Sequence, residues 1–188
     1  GTDYIGEAGW PSHGWPAGLF DICMVEKPRA AFHRAMWNDE PMVRIAVRDN
    51  ALDIDHGRDL WQWPNMAAIW NFPRAYEGLV IEVNTTTNCE RVALFHNGNE
   101  MGVRRTADYP NHTITWYLPY RRGTLVAKGI NGTDTVAVHE IRTAGDAVRL
   151  KATADRGKLM ADGQDLSYVQ VELLDKDGTL VQHADRYV

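Results

Sequence analysis

Apolar and polar residues alternate with a period of two along much of the chain beyond residue 40. Successive side chains of a strand point to opposite faces, so this alternation predicts half-buried strands. Asn97-Gly98 and Asn131-Gly132 separate such segments and are typical of hairpin turns, because both residue types tolerate positive φ. Short turns with no helical pattern between them predict an antiparallel β-sandwich. The predicted strands cover residues 42–48, 79–83, 92–94, 112–118, 124–130, 135–141, 147–153, 166–174 and 179–182.

The first part of the chain has a different texture, with many glycines, prolines and aromatic residues and little periodicity. Pro28 predicts the start of a short helix that ends near residue 37, since proline is well tolerated in a first helical turn. Phe32, Ala35 and Met36 recur at helical spacing and predict its apolar face.

Composition and charge narrow the classes of function. The chain has 188 residues, 44% of them hydrophobic and 24% charged, which is ordinary for a globular protein. A net charge of −5 without a basic stripe argues against nucleic acid and anionic membranes as partners. Cys23 and Cys89 are too few for a disulfide framework or a zinc site, so both are predicted to be free thiols. The histidines share no ligand spacing, and we expect neither a metal nor another cofactor.

The end of the chain is too short for a complete domain of the kind its strands suggest. Thr143, Ala144 and Gly145 predict a hinge, and residues 143–188 follow it. An immunoglobulin-like sandwich needs about 100 residues. An incomplete sandwich leaves a sheet face uncovered and strand edges unpaired. We therefore expect this segment to be disordered, to pair with another chain or to be supported by the preceding domain.

Several motifs occur in one order along the chain: DYIGE at 3–7, WPS at 10–12, GLFDIC at 18–23, TNCERVALF at 87–95 and ADGQDL at 161–166. Together they resemble bacterial glycoside hydrolases of family 2, of the β-galactosidase type. In that family the first three motifs and the helix after them are similar to the eighth strand, loop and helix of the catalytic (β/α)8 barrel. The fourth is similar to the sandwich that follows the barrel, and the fifth to the start of a further immunoglobulin-like domain.

This resemblance implies a mainly β fold, with immunoglobulin-like antiparallel β-sandwiches preceded by a remnant strand and helix of a (β/α)8 barrel. The implied domains are the barrel remnant at 1–39, a β-sandwich at 40–142 and a partial immunoglobulin-like domain at 143–188. The implied partner is the rest of the parent barrel. Carbohydrate and a second copy of the chain are further possible partners, and a periplasmic or secreted location is suggested.

The resemblance also implies a retaining glycosidase, which uses two carboxyl groups about 5–5.5 Å apart as acid/base and nucleophile. In the family both groups are glutamates near the ends of the fourth and seventh barrel strands. We expect those strands upstream of Gly1, and a barrel requires eight strands for closure. The chain is therefore predicted to be inactive alone. The sugar specificity of the parent, for galactosides, glucuronides or mannosides, stays open.

Five residues of the first segment are candidates for substrate contact. Asp3 and Glu7 lie on one face at the end of the presumed barrel strand, where catalytic groups occur in this fold. The family does not use them as acid and nucleophile, so they either hydrogen-bond a sugar hydroxyl or have a structural role. Trp10, His13 and Trp15 lie in a loop that either borders the sugar pocket or is anchored by them to the barrel rim.

A second group of aromatic residues supports a different hypothesis. Trp61, Trp63 and Trp70 occur among polar residues and suggest a stand-alone carbohydrate-binding module. The alternative is that they pack at an interface with the barrel or in the core. A third hypothesis is an immunoglobulin-like interaction module, although the barrel-like first segment argues against it.

Overall fold

A computed structural model describes residues 18–20, 24–48 and 66–181 of the chain, and they are mainly β. The chain divides into two compact units, Gly1–Thr143 and Ala144–Val188. Among the described residues, no helix is both long and apolar enough to cross a membrane. The division into domains at 1–39, 40–142 and 143–188 stays a prediction.

The described residues of the first unit form two four-stranded antiparallel sheets. One sheet has the order β2-β1-β3-β6, and its strands are β1 (Val43–Arg48), β2 (Met66–Ala67), β3 (Val80–Thr87) and β6 (Thr113–Pro119). The other has the order β5-β4-β7-β8, and its strands are β4 (Arg91–His96), β5 (Asn99–Arg105), β7 (Thr124–Asn131) and β8 (Asp134–Arg142). Three short 3₁₀ helices, Arg74–Tyr76, Thr106–Asp108 and Pro110–His112, lie in the connections. The predicted mainly β, antiparallel architecture is confirmed.

Alternate residues of both sheets point inward and form one core. The alternation predicted in the first strand is visible in Val43, Ile45 and Val47, which are at most 1% exposed. Their counterparts from the facing sheet include Val92, Leu94, Leu125 and Ala127, all of them fully buried. Burying such side chains supplies the main favourable term in folding, at about 1.5–3 kcal/mol for each large one.

Trp116 on β6 is one of the largest side chains of this core and is 1% exposed. Its indole Nε1 donates a hydrogen bond to Thr85 Oγ1 at 2.9 Å, so burial leaves no unpaired donor. The guanidinium of Arg104 lies 4.4 Å from the centre of the indole ring. The same guanidinium donates to the Tyr109 hydroxyl at 3.0 Å. Arg104 therefore covers one face of Trp116 while its charge remains hydrogen-bonded.

The predicted helix is present as α1 (Pro28–Trp37), which contacts β1 and β3. Its buried residues are Ala30, Ala31 and Ala35, whereas Met36 is 46% exposed. The predicted apolar face was therefore wrong at Met36. Alanine side chains let a helix approach a sheet closely, which displaces longer side chains to the rim of the contact.

Asn88 joins the segment after α1 to the turn between β3 and β4. Its side-chain Nδ2 donates to the backbone carbonyls of Asn38 and Glu40, both at 2.8 Å. Its Oδ1 accepts a hydrogen bond from Met42 N–H at 2.7 Å. Thr87 Oγ1 adds a bond to Met42 O at 2.6 Å. One amide side chain thus fixes the path of the chain from helix to sandwich.

Cys89 and Gly129 share one small space in the core. Cys89 is a free thiol and is 1% exposed. A Cβ atom at Gly129 would lie 2.6 Å from Cys89 Sγ and 3.3 Å from the Cβ of Ala137. Gly129 is therefore present because the thiol occupies the volume that any side chain would need.

The second unit contains a two-stranded antiparallel sheet of β9 (Arg149–Ala154) and β10 (Val169–Leu174). One face carries Lys151 and Glu172, which form an ion pair at 3.1 Å. The other face is apolar and largely exposed; its register partners are Leu150 with Leu173, Ala152 with Val171 and Ala154 with Val169. At residues 179–181, the described part of the strand predicted at 179–182, the structure has only an isolated bridge from Leu174 to Leu180, so the prediction is wrong there.

Asp175 organises the turn after β10. Its carboxylate accepts hydrogen bonds from the backbone N–H groups of Gly145 at 2.8 Å, Thr179 at 2.8 Å and Asp177 at 2.9 Å. These bonds, that from Gly145 first, lower the pKa of Asp175. The second unit therefore has an ordered polar turn at the end of its short sheet.

Candidate functional site

Seven of the residues predicted to contact carbohydrate lie outside the described part of the chain, and those assignments stay predictions. They are Asp3, Glu7, Trp10, His13 and Trp15 of the presumed pocket rim, and Trp61 and Trp63 of the alternative binding module.

Trp70, the remaining candidate, lies in the core. It is 0% exposed, and its indole Nε1 donates to Arg121 O at 3.0 Å. The rings of Tyr120, His96 and Phe72 meet it edge-on, with centroids at 5.0, 5.6 and 5.9 Å. No face of the indole is free for a sugar ring to stack on. Trp70 therefore agrees with the alternative that it packs in the core, and the carbohydrate-binding hypothesis stays a prediction that rests on Trp61 and Trp63.

His139 is a functional group that the sequence reasoning did not single out. It lies on β8 and accepts a hydrogen bond on Nδ1 from the backbone N–H of Ile45 at 3.1 Å. Among the described residues, β2 pairs with Val47 and Arg48 of β1, and the imidazole provides a hydrogen-bond partner for Ile45, further along the same strand. Burial, with the nearby charge of Arg44 second, lowers the pKa of His139 from 6.5 to about 4. The ring is therefore neutral at pH 7 and acts as an acceptor.

A small cavity of about 90 Å³ lies beside His139 and α1, and its lining includes Glu26, Lys27, Arg44 and Thr86. Glu26 is held by Arg34, with Nη1 and Oε2 3.0 Å apart. Pockets that enclose small organic ligands usually measure about 300–1,000 Å³, so this cavity does not accommodate a sugar. Among the described residues of its lining, Glu26 is the only carboxylate, so they provide no carboxyl pair for catalysis.

The hydrogen bond of His139 predicts a dependence of stability on pH. The folded-state pKa is below the unfolded value, so the unfolded chain takes up a proton first as the pH falls. The contribution of neutral His139 to the free energy of unfolding is therefore fully present above pH 6.5 and is lost as the pH falls towards 4. We expect the free energy of unfolding to fall by about 2 kcal/mol. This is less than the free energy that corresponds to the full difference between the two pKa values, because the ring is only partly buried. Urea unfolding between pH 7 and pH 4.5 measures it.

The matched variant is His139→Asn, whose Oδ1 replaces Nδ1 as acceptor but does not titrate in this range. Carboxylates and the other histidines titrate equally in both proteins, so the difference between the two pH profiles isolates His139. Parallel profiles would contradict the assignment.

The alternation of inward and outward residues along the predicted strand 135–141 is a signal that could have identified His139. Residues 137, 139 and 141 share one face, and Ile141 on that face is buried. A histidine on the inward face of a strand requires a hydrogen-bond partner. The partner, Ile45, is 94 residues away in sequence and is not deducible from the strand alone.

Metal-ligating side chains do not converge in the described ranges: no group of three or more His, Cys, Asp or Glu residues there is arranged to hold an ion. Cys89 is a buried free thiol. Cys23 lies outside those ranges.

Comparison with known proteins relates both units to one family of enzymes. Residues 78–137 match a family described as a domain of unknown function, DUF4982. Residues 150–188 match the family described as glycoside hydrolase family 2 C-terminal domain 5. The chain is 30% identical to β-galactosidase BoGH2A of Bacteroides ovatus over 191 aligned residues, which is 100% of this chain and 20% of that protein.

Solved structures agree. A glycosyl hydrolase family 2 member from Bacteroides cellulosilyticus superposes with a TM-score of 0.82 at 34% identity, covering 97% of this chain and 26% of that one. A β-glycosidase from Bacteroides vulgatus gives a TM-score of 0.72 at 26% identity, covering 95% and 20%. The chain thus spans about a fifth to a quarter of these relatives. These matches confirm the resemblance predicted from the motifs: the chain is similar to a part of family 2 glycoside hydrolases, and residues 150–188 match a C-terminal domain of that family.

Proposed function

We propose that this chain is a non-catalytic part of a retaining, β-galactosidase-like glycosidase, with a role in domain packing and in forming part of the pocket rim. In this proposal residues 1–39 are the last strand, loop and helix of the catalytic barrel. The sandwich then holds that element in place. The parent enzyme hydrolyses terminal β-linked sugars with two glutamates that belong to other barrel strands.

The joint between α1 and the sandwich is the observation that carries the proposal. The Asn88 side chain fixes the segment from Asn38 to Met42 by donating two hydrogen bonds and accepting one. The alanine face of α1 packs closely against the outer side of the first sheet. A helix attached at both its face and its end has little freedom to reorient. Such a sandwich is suited to positioning a barrel element and its loop.

The comparisons support the same reading. The B. ovatus relative is named a β-galactosidase, and the chain aligns with 20% of its length. Two carboxyl groups at catalytic separation belong to a closed (β/α)8 barrel in this family, and the described residues form a sandwich with α1 on its outer side.

The proposal predicts that the purified chain does not hydrolyse 4-nitrophenyl β-galactoside or β-glucuronide above the buffer rate. Turnover requires an acid/base and a nucleophile in one site, and neither glutamate is expected here. Release of 4-nitrophenol at high protein concentration measures it.

The matched control is the double variant Asp3→Asn/Glu7→Gln, because these are the two carboxylates predicted on one face of the barrel-like strand. If the unchanged chain hydrolyses the substrate and this variant does not, the catalytic pair lies within the chain and the proposal fails. Turnover that survives in the variant also overturns the non-catalytic role.

A further inference from the structure

A second and larger cavity lies at the end of the sandwich where β4 begins and β5 ends. It has a volume of about 410 Å³ and is lined by Glu90, Arg91, Arg105, Thr106, Ala107 and Gly132. This volume is within the range of about 300–1,000 Å³ that is usual for small-molecule sites. All of its lining residues belong to the first unit.

Two arginines face each other across this cavity. Arg91 on β4 and Arg105 on β5 are direct register partners. Like charges at directly opposed positions of an antiparallel pair are destabilising. The Arg91 guanidinium donates to the backbone carbonyl of Gly132, and within residues 18–20, 24–48 and 66–181 neither arginine pairs with a carboxylate. Glu90, which lines the same cavity, offsets part of this repulsion but forms no ion pair with either arginine.

Glu90 is the acidic residue of the lining, and its carboxylate has another role. Its Oε2 accepts a hydrogen bond from Gly132 N–H at 2.9 Å, while its backbone N–H donates to Asn131 Oδ1 at 2.9 Å. These bonds hold the β7–β8 turn against the start of β4. The lining carries two guanidinium groups and one carboxylate, which is hydrogen-bonded to Gly132, and its net charge is therefore positive.

We propose that this cavity binds an oxyanion, the carboxylate or sulfate group of a small acidic saccharide. Guanidinium groups recognise planar carboxylates and sulfate-type oxyanions through paired, charge-assisted hydrogen bonds. An anion between Arg91 and Arg105 removes their repulsion, and the cavity has room for the attached sugar ring. The saccharide part rests on the proposed function, whereas the oxyanion part rests on the charges alone.

Titration of the ¹⁵N-labelled chain tests the site, with sodium sulfate, sodium glucuronate and galactose as probes at constant ionic strength. Sulfate and glucuronate are expected to produce saturable shifts of the amide signals of Thr106, Ala107 and Gly132, and galactose is not. Arg105→Gln and Arg91→Gln are each expected to weaken binding about tenfold, the loss of one charged hydrogen-bond partner. Arg74→Gln, an exposed arginine elsewhere in the first unit, is the control and leaves binding unchanged.

The outcomes separate the two parts of the inference. Absence of saturable shifts with both anions, or unchanged binding in both cavity variants, overturns the site. Binding of sulfate without glucuronate overturns the saccharide part and supports the oxyanion part. None of these results bears on 4-nitrophenol release, so a failure here is distinguishable from a failure of the proposed function.

Discussion

Replacing Trp116 with alanine is expected to lower the free energy of unfolding of the sandwich by about 3–5 kcal/mol, the usual result for a large aromatic residue removed from a core. The indole is 1% exposed, and neighbouring side chains are unable to collapse fully into the volume it occupies. The change also leaves Thr85 Oγ1 without its donor and Arg104 without the ring that its guanidinium covers. Urea unfolding followed by circular dichroism measures the loss.

Tyr117→Ala is the matched control, since Tyr117 follows Trp116 on the same strand but faces outward and is 66% exposed. Its effect should lie within about 0.5 kcal/mol, as for most surface substitutions. Equal losses in the two variants would show that strand β6 itself, rather than the core contact, responds to substitution. That result would contradict the central position of Trp116.

Gly123→Ala is expected to be the second most destabilising change, at about 2–4 kcal/mol, by combining backbone strain with a steric clash. Gly123 has a φ of +137°, a conformation that residues with a Cβ rarely adopt. A Cβ there would lie 1.8 Å from Asn97 Oδ1. Asn97 has little freedom to move, because Oδ1 accepts from Thr124 N–H at 2.8 Å and Nδ2 donates to Arg122 O at 3.1 Å. Thermal unfolding monitored by calorimetry measures the effect.

Two variants separate the strain from the clash. Gly102→Ala also places a Cβ at a similar φ of +132°, but the nearest atom is a Trp116 ring carbon at 3.9 Å, an ordinary contact, so it reports the strain alone. The double variant Asn97→Ala/Gly123→Ala removes the clash, and its loss should be smaller than the sum of the single losses by at least about 1 kcal/mol. Strict additivity would rule out the clash as a cause.

Most strands were predictable because one face of each is buried in the core, which requires an apolar residue at every second position. The predicted segments 124–130 and 135–141 correspond to β7 (Thr124–Asn131) and β8 (Asp134–Arg142) within one residue at each end. By contrast, β5 (Asn99–Arg105) was not among the predicted strands. It is an edge strand with mainly exposed side chains, so burial imposes little alternation on it.

The cavity between Arg91 and Arg105 was not predictable for a related reason. Their pairing depends on the register of β4 with β5, and that register shifts between Leu94 and Phe95. The family motif TNCERVALF contains Arg91 but says nothing of its partner across the sheet. Trp70 shows the same limit: Phe72 is close to it in sequence, but its ring contacts with His96 and Tyr120 come from distant parts of the chain.

The shared space of Cys89 and Gly129 has an evolutionary consequence. Because a Cβ at position 129 would lie 2.6 Å from the sulfur at position 89, neither position is free to change by itself towards a larger residue. Relatives that carry alanine or serine at position 129 are expected to carry a residue smaller than cysteine at position 89. The two positions thus form a single unit of sequence change, and aligned relatives should show them varying together across the sheet.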